Sequence, residues 1–168
     1  KLFFGIALIE RLNEVGPMAN RVLLVDDDED VIRGLVLTLR EQPYEIFSAL
    51  SGEGGLELLN EEDPETFGVI VSDMRMPSMD GAEFFAEARK LCPDTSRILL
   101  TGHADVDSSI AAVNEGRIFR FLTKPCDKDE LRVSIEAGFR QTELIQAERV
   151  LLEETLNGAI DALMQVVA

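Results

Sequence analysis

Apolar residues recur along this chain in two alternating rhythms. Arg21-Val22-Leu23-Leu24-Val25 is a short run, apolar on both faces and ending in acids, as a strand buried in a parallel sheet requires. Residues 29–41 then place Val31, Ile32, Leu35, Val36 and Leu39 at the helical period. The alternation continues with a strand over 44–49, a helix over 52–61, a fully apolar strand over 67–71 and a helix over 81–91. A strand over 97–100, a helix over 105–115 and a strand over 118–122 come next, and a long helical pattern starts near Asp127. Strands and helices in strict alternation predict an α/β fold: a doubly wound, five-stranded parallel sheet with helices on both faces. In such sheets the working site lies beyond the carboxyl ends of the strands, near the switch point in strand order.

Composition narrows the reading. A chain of 168 residues is one domain with an appendage. Its 46% hydrophobic and 29% charged residues exclude global disorder. The charge balance of 16 Lys+Arg against 32 Asp+Glu gives −16, which repels phosphate backbones and argues against direct nucleic-acid binding by this segment. Cys92 and Cys126 are too few for a disulfide framework, and with His103 alone beside them they make no zinc site. Reduced thiols of this kind suit a cytoplasmic location. The apolar run 2–9 is far short of the ~20 residues that span a bilayer, so no membrane partner is expected.

Residues 1–17 are expected to be a leader distinct from the α/β body. Phe4, Leu8, Leu12 and Val15 have the spacing of a short amphipathic helix, which Gly16-Pro17 ends. Met18 reads like the start of the domain proper, expected over 18–138.

The residues at the strand ends carry the chemistry. Asp26, Asp27 and Asp28 come after the first strand, Asp73 after the third, Thr101-Gly102-His103 after the fourth and Thr123-Lys124-Pro125 after the fifth. Clustered carboxylates repel one another, and a hard divalent cation such as Mg²⁺ relieves that repulsion. An aspartate beside such a cation can attack phosphorus, while a lysine and a threonine hydroxyl hold the phosphoryl oxygens. Asp28, Glu29 and Asp30 have a simpler reading as the acidic start of a helix.

Four pieces in this order resemble the receiver domain of two-component response regulators. They are Val22-Leu23-Leu24-Val25-Asp26-Asp27-Asp28, Val69-Ile70-Val71-Ser72-Asp73-Met74-Arg75-Met76-Pro77 with Asp80-Gly81, Ile98-Leu99-Leu100-Thr101-Gly102, and Phe121-Leu122-Thr123-Lys124-Pro125. The likeness spans about residues 20–138. It implies a flavodoxin-like strand order 2-1-3-4-5. It implies that Asp73 accepts phosphate from a sensor histidine kinase or phosphotransfer protein. Asp27 and Asp73 would ligate Mg²⁺ directly with the backbone carbonyl of Arg75, and Asp26 mainly through water. Lys124 would pair with the phosphoryl group and Thr101 would hydrogen-bond it. Phe121 would be a switch aromatic responding to Thr101, so that the surface of the fourth helix, fifth strand and fifth helix changes. The Lys124-Pro125 bond is expected to be cis. Arg75 and His103 would tune dephosphorylation. The chain would be a self-catalysed phosphoacceptor and not otherwise an enzyme.

From Asp127 to near Val167 no proline interrupts the helical pattern, which at 1.5 Å per residue reaches roughly 60 Å. Ile145, Arg149, Leu152, Leu156, Ala159, Leu163 and Val166 step by four and three, a heptad seam with one charged interruption. Residues 139–168 are therefore expected to be a helical linker or coiled coil that forms a homodimer and leads toward an output domain. Residues 114–125 also resemble receivers attached to HD-type outputs.

Two rival readings remain. In a haloacid-dehalogenase-like phosphohydrolase, Asp26 would be the nucleophile and Asp28 the acid/base. In a pseudo-receiver, the domain would serve protein contacts alone.

Overall fold

In the computed structural model the described residues are 21–102 and 118–167. The leader, the helix expected over 105–115 and His103 lie outside them. Five strands form one sheet: β1 (Arg21–Val25), β2 (Glu45–Ala49), β3 (Phe67–Asp73), β4 (Ser96–Thr101) and β5 (Arg120–Thr123). Every neighbouring pair is parallel, and the order is β2-β1-β3-β4-β5, as expected. The helices are α1 (Glu29–Leu39), α2 (Gly52–Glu61), α3 (Gly81–Leu91) and the 40-residue α4 (Lys128–Val167).

Alternate residues of the central strands feed two separate cores. Leu23, Val25, Ile70 and Leu99 pack against Leu59 of α2 and Phe84, Phe85 and Ala88 of α3. Val22, Leu24, Val69, Val71, Ile98 and Leu100 pack against Ile32 and Leu39 of α1 and Leu131, Ile135 and Phe139 of α4. That division explains why β1, β3 and β4 read as continuous apolar runs: both faces are covered.

Side-chain caps set the helix starts. Asp28 caps α1 by accepting from the Asp30 and Val31 amides, with Glu29 and Asp30 favourable at the positive end of the helix dipole. Ser51 caps α2. Asp80 and Glu83 form a reciprocal capping box at α3.

Some boundaries differ from the sequence expectation. β3 runs two residues past Val71 because Ser72 and Asp73 still find backbone partners: Ser72 lies opposite Val25 and Leu99, and Asp73 opposite Leu100. A polar side chain does not end a central strand whose backbone is paired on both sides. β5 instead begins at Arg120, opposite Ile98, with the Phe119 amide before it donating to the Arg97 carbonyl at 2.8 Å.

α4 passes residue 138 without a break. Gly138 lies so close to the sheet that a Cβ there would come within 2.9 Å of Val69. One turn later the buried Thr142 hydroxyl lies 2.6 Å from the Gly68 carbonyl, and it accepts from the Ser96 amide at 3.0 Å. Farther out, Arg149 turns back to Asp94 and Glu65 beneath the sheet. Leu152, Leu156, Leu163 and Val166 are exposed.

Candidate functional site

The strand order brings the ends of β1, β3, β4 and β5 together. Asp26 comes directly after the last residue of β1, and its amide donates to the Ala49 carbonyl at 3.2 Å. Asp73 is the last residue of β3, and Thr101 the last of β4. Thr101 lies opposite Thr123, and the Lys124 amide donates to the Thr101 carbonyl at 2.9 Å. That bond places Lys124 at the mouth of the sheet. The Lys124-Pro125 peptide is cis.

The Lys124 ammonium lies 2.6 Å from Asp26 Oδ2 and 2.6 Å from Asp73 Oδ1. The other oxygen of each carboxylate is held by the backbone. Asp26 Oδ1 accepts from the Asp28 amide at 2.9 Å, and Asp73 Oδ2 from the Arg75 amide at 2.9 Å. Burial pushes the Asp26 carboxyl above the usual range, and the hydrogen bonds from Lys124 and Asp28 offset this only in part. For Lys124, burial pulls the ammonium down, but the bonds and charges of Asp26 and Asp73 more than restore it, leaving it above an ordinary lysine.

Asp27 joins the cluster from the solvent side. One oxygen each of Asp26, Asp27 and Asp73 lie within 4.8 Å of one another, with Asp27 exposed and the other two buried. Three oxygen donors with one open flank suit a hard cation that keeps part of its water, as Mg²⁺ does. The donor set therefore fits the expected metal.

The β3–α3 loop is folded tightly around Asp73. The Met74 amide donates to the Leu100 carbonyl, and the Gly81 amide to the Met74 carbonyl, both at 2.9 Å. A Cβ at Gly81 would land on the Asp73 carbonyl, so this position admits no side chain without moving the acceptor strand. Ser78 holds φ 67°, a left-handed conformation that costs a residue with a Cβ. Neither residue carries a role in the sequence patterns: Gly81 stands there only as part of the Asp80-Gly81 motif, and Ser78 belongs to none. The signal for both is the short path from Pro77 to the Asp80 cap.

The remaining expected residues are placed less tightly. The Thr101 hydroxyl is buried and donates to the Gly102 carbonyl at 3.2 Å, not to the carboxylates. The Phe121 ring is 37% exposed on β5. The Arg75 side chain is exposed. Asp28, the acid/base of the phosphohydrolase reading, has its Oδ1 occupied as the α1 cap, accepting from Asp30 at 2.8 Å. That commitment weighs against a role in proton transfer beside Asp26.

Comparisons with known proteins converge on one family. A model described as "Response regulator receiver domain" matches residues 22–136. The transcriptional regulatory protein GlrR of Escherichia coli (strain K12) is 40% identical over 128 residues, covering 76% of this chain and 28% of that protein. A solved structure described as adenylate cyclase from Rhodopirellula baltica is 39% identical with TM-score 0.74, covering 80% of this chain and 97% of that one. The signal receiver domain of an HD domain-containing protein from Pseudomonas fluorescens Pf-5 is 33% identical with TM-score 0.68, covering 73% and 95%. The phosphohydrolase reading finds no support among these matches. The chain spans just over a quarter of the length of GlrR.

Proposed function

The chain belongs to the response-regulator receiver family, and from that premise we propose that it carries a phosphoryl group on Asp73, accepted from a sensor histidine kinase or a phosphotransfer protein. The observation that carries this reading is the Lys124 ammonium bridging Asp26 and Asp73 at 2.6 Å each, with Asp27 open to solvent beside them. A carboxylate oxygen of Asp73 attacks phosphorus, the phosphorus–nitrogen bond of the donor breaks, and its electron pair stays on the departing imidazole.

Asp26, Asp27 and Asp73, with the backbone carbonyl of Arg75, are the groups that would hold Mg²⁺, which would supply positive charge for the phosphoryl oxygens. Lys124 turns from the paired carboxylates to the added phosphoryl oxygens, and the Thr101 hydroxyl leaves the Gly102 carbonyl to join it. Phosphorylation adds charge and acceptor oxygens, so this rearrangement biases the position of Phe121 and of the neighbouring surface. Arg75 and His103 tune loss of the phosphoryl group. The domain acts as a self-catalysed phosphoacceptor and not as a turnover enzyme.

Residues 139–168 lead toward an output domain and pair as a homodimer through the exposed apolar side of α4. GlrR is a transcriptional regulatory protein and one structural neighbour comes from an HD domain-containing protein, so outputs of either kind suit this receiver. No helix among the described residues is long and apolar enough to cross a membrane. With two free cysteines and strong negative charge, the segment is read as cytoplasmic and not as a nucleic-acid binder itself.

The test is incubation with acetyl phosphate and MgCl₂. Acid-labile phosphate should reach about one per chain, and should be absent with EDTA or in Asp73→Asn. Full labelling of Asp73→Asn would overturn the assignment. Repeated turnover of a phosphomonoester that depends on Asp26 and Asp28 would instead restore the phosphohydrolase reading.

A further inference from the structure

Two unlike contacts attach α4 to the body beyond Phe139. The first is the buried hydroxyl pair of Thr142 and Ser96, 3.1 Å apart, shared with the carbonyls of Gly68 and Gly138. The second, seven residues on, is a pair of partly exposed ion pairs. Arg149 Nη1 lies 2.8 Å from Asp94, in the loop before β4, and Nη2 lies 3.5 Å from Glu65, in the 3-10 turn before β3.

Arg149 is also a seam position. With 149 at heptad position a, residues 145, 152, 159 and 166 fall at d, and Glu148 and Glu153 fall at the flanking g and e positions. In a parallel pair of helices, Glu148 of one copy faces Glu153 of the other, and both are exposed here. Arg149 is the one cation within reach of that repulsive pair in the sequence of this heptad, and it is engaged by its own body. Ile145, one turn earlier, is half-buried on the same side. The seam left open runs from Leu152 to Val166, about two heptads, which is short for a stable pair of helices.

We propose that the contact of Arg149 with Asp94 and Glu65 is an autoinhibitory clasp on self-association. Closed, it keeps Arg149 on the receiver body and starts the dimer seam at Leu152. Open, it releases Arg149 to neutralise Glu148 and Glu153 of a second, parallel copy, and the seam extends back to Ile145. The inference rests on the homodimer reading and adds its regulation. The hinge lies between residues 142 and 149. Breaking the buried hydroxyl pair would strand polar groups away from water, whereas the Arg149 pairs, part-exposed at Asp94 and open to solvent at Glu65, separate at smaller cost.

The experiment uses the full chain with Asp94→Asn and Glu65→Gln together, both on the body and away from the phosphoacceptor site. Sedimentation equilibrium should show dimerisation about three- to tenfold tighter than wild type. Amide hydrogen exchange at monomeric concentration should accelerate over 143–150 and stay unchanged over 135–142. Adding Arg149→Gln should abolish the gain in affinity. An unchanged dimer constant beside a measurable wild-type dimer overturns the clasp and leaves the dimer standing. A gain that survives Arg149→Gln overturns the exchange of partners. Monomers throughout, in wild type and every variant, overturn the dimer reading and the clasp with it.

Discussion

Lys124 sits 2.6 Å from Asp73 across the ends of β5 and β3, and in that position it sets a positive charge among the carboxylates of Asp26, Asp27 and Asp73. Removing it leaves Asp26 and Asp73 facing each other, both buried. Lys124→Gln is expected to lose about 1–3 kcal/mol of stability in Mg²⁺-free urea titrations, as for a buried charge left without its partner. The value should lie toward the lower end, because the Lys124 side chain is 30% exposed and water screens part of the change. Adding MgCl₂ should recover part of the loss, since a cation bound to the folded state alone stabilises it. Equal losses with and without MgCl₂ would argue against a cation at these carboxylates.

Gly81 is expected to tolerate no side chain. In Gly81→Ala the new methyl meets the Asp73 carbonyl and the Leu99 side chain, and backbone cannot yield as a side-chain tip can. Overpacking at so fixed a site should cost about 2 kcal/mol or more. Phosphate incorporation from acetyl phosphate should fall with it, because relieving the clash displaces the acceptor itself. Gly34→Ala, where a Cβ meets nothing within 4 Å, is the matched control and should leave labelling intact.

Thr142 ties α4 to the sheet through hydrogen bonds of its buried hydroxyl. Thr142→Val keeps the shape but leaves the Ser96 amide without the hydroxyl it donates to. The expected cost is about 1–3 kcal/mol by urea denaturation. Thr142→Ser, which keeps the hydroxyl and loses a methyl, should cost less. If valine is tolerated as well as serine, packing and not hydrogen bonding holds the helix.

Cys92 predicts a pH dependence. Burial pushes its thiol up, against weaker opposing effects of Thr95 and Arg97. A folded value above the unfolded one means the contribution to stability is complete below about pH 8.5, the range of a free thiol, and is lost as pH rises toward the folded value. Cys92→Ala should therefore be less stable than wild type at pH 7. The gap in urea midpoint should narrow by pH 10, because wild type loses stability there and the variant does not share that loss. A constant gap would show that the thiol does not titrate on unfolding.

The architecture is legible in the sequence because strand burial and chemistry coincide in this chain. Val22–Val25 and Val69–Val71 are apolar on both faces, as strands of a covered parallel sheet are, and the acids directly after Val25 mark the end of β1. The caps are legible too: Asp28 reads as a helix start and acts as one. Contacts fixed by backbone geometry leave no such trace. Asp73 lies within β3 because Leu100 of β4 pairs with it, and the Gly81 approach and the Ser78 conformation depend on the path of one loop. Arg149 departs from the heptad expectation for a similar reason. Its spacing belongs to the seam of α4, but its partners, Asp94 and Glu65, come from distant parts of the chain and leave no mark in the periodicity.

The unbroken course of α4 past Thr142 has a mechanical meaning. From that anchor to Val167 the helix extends about 38 Å at 1.5 Å per residue. A tilt of about 5° at the anchor would carry the far end about 3 Å sideways over that length. A displacement too small to disturb the packing beneath the sheet is thereby magnified into one large enough to misalign whatever the tip touches.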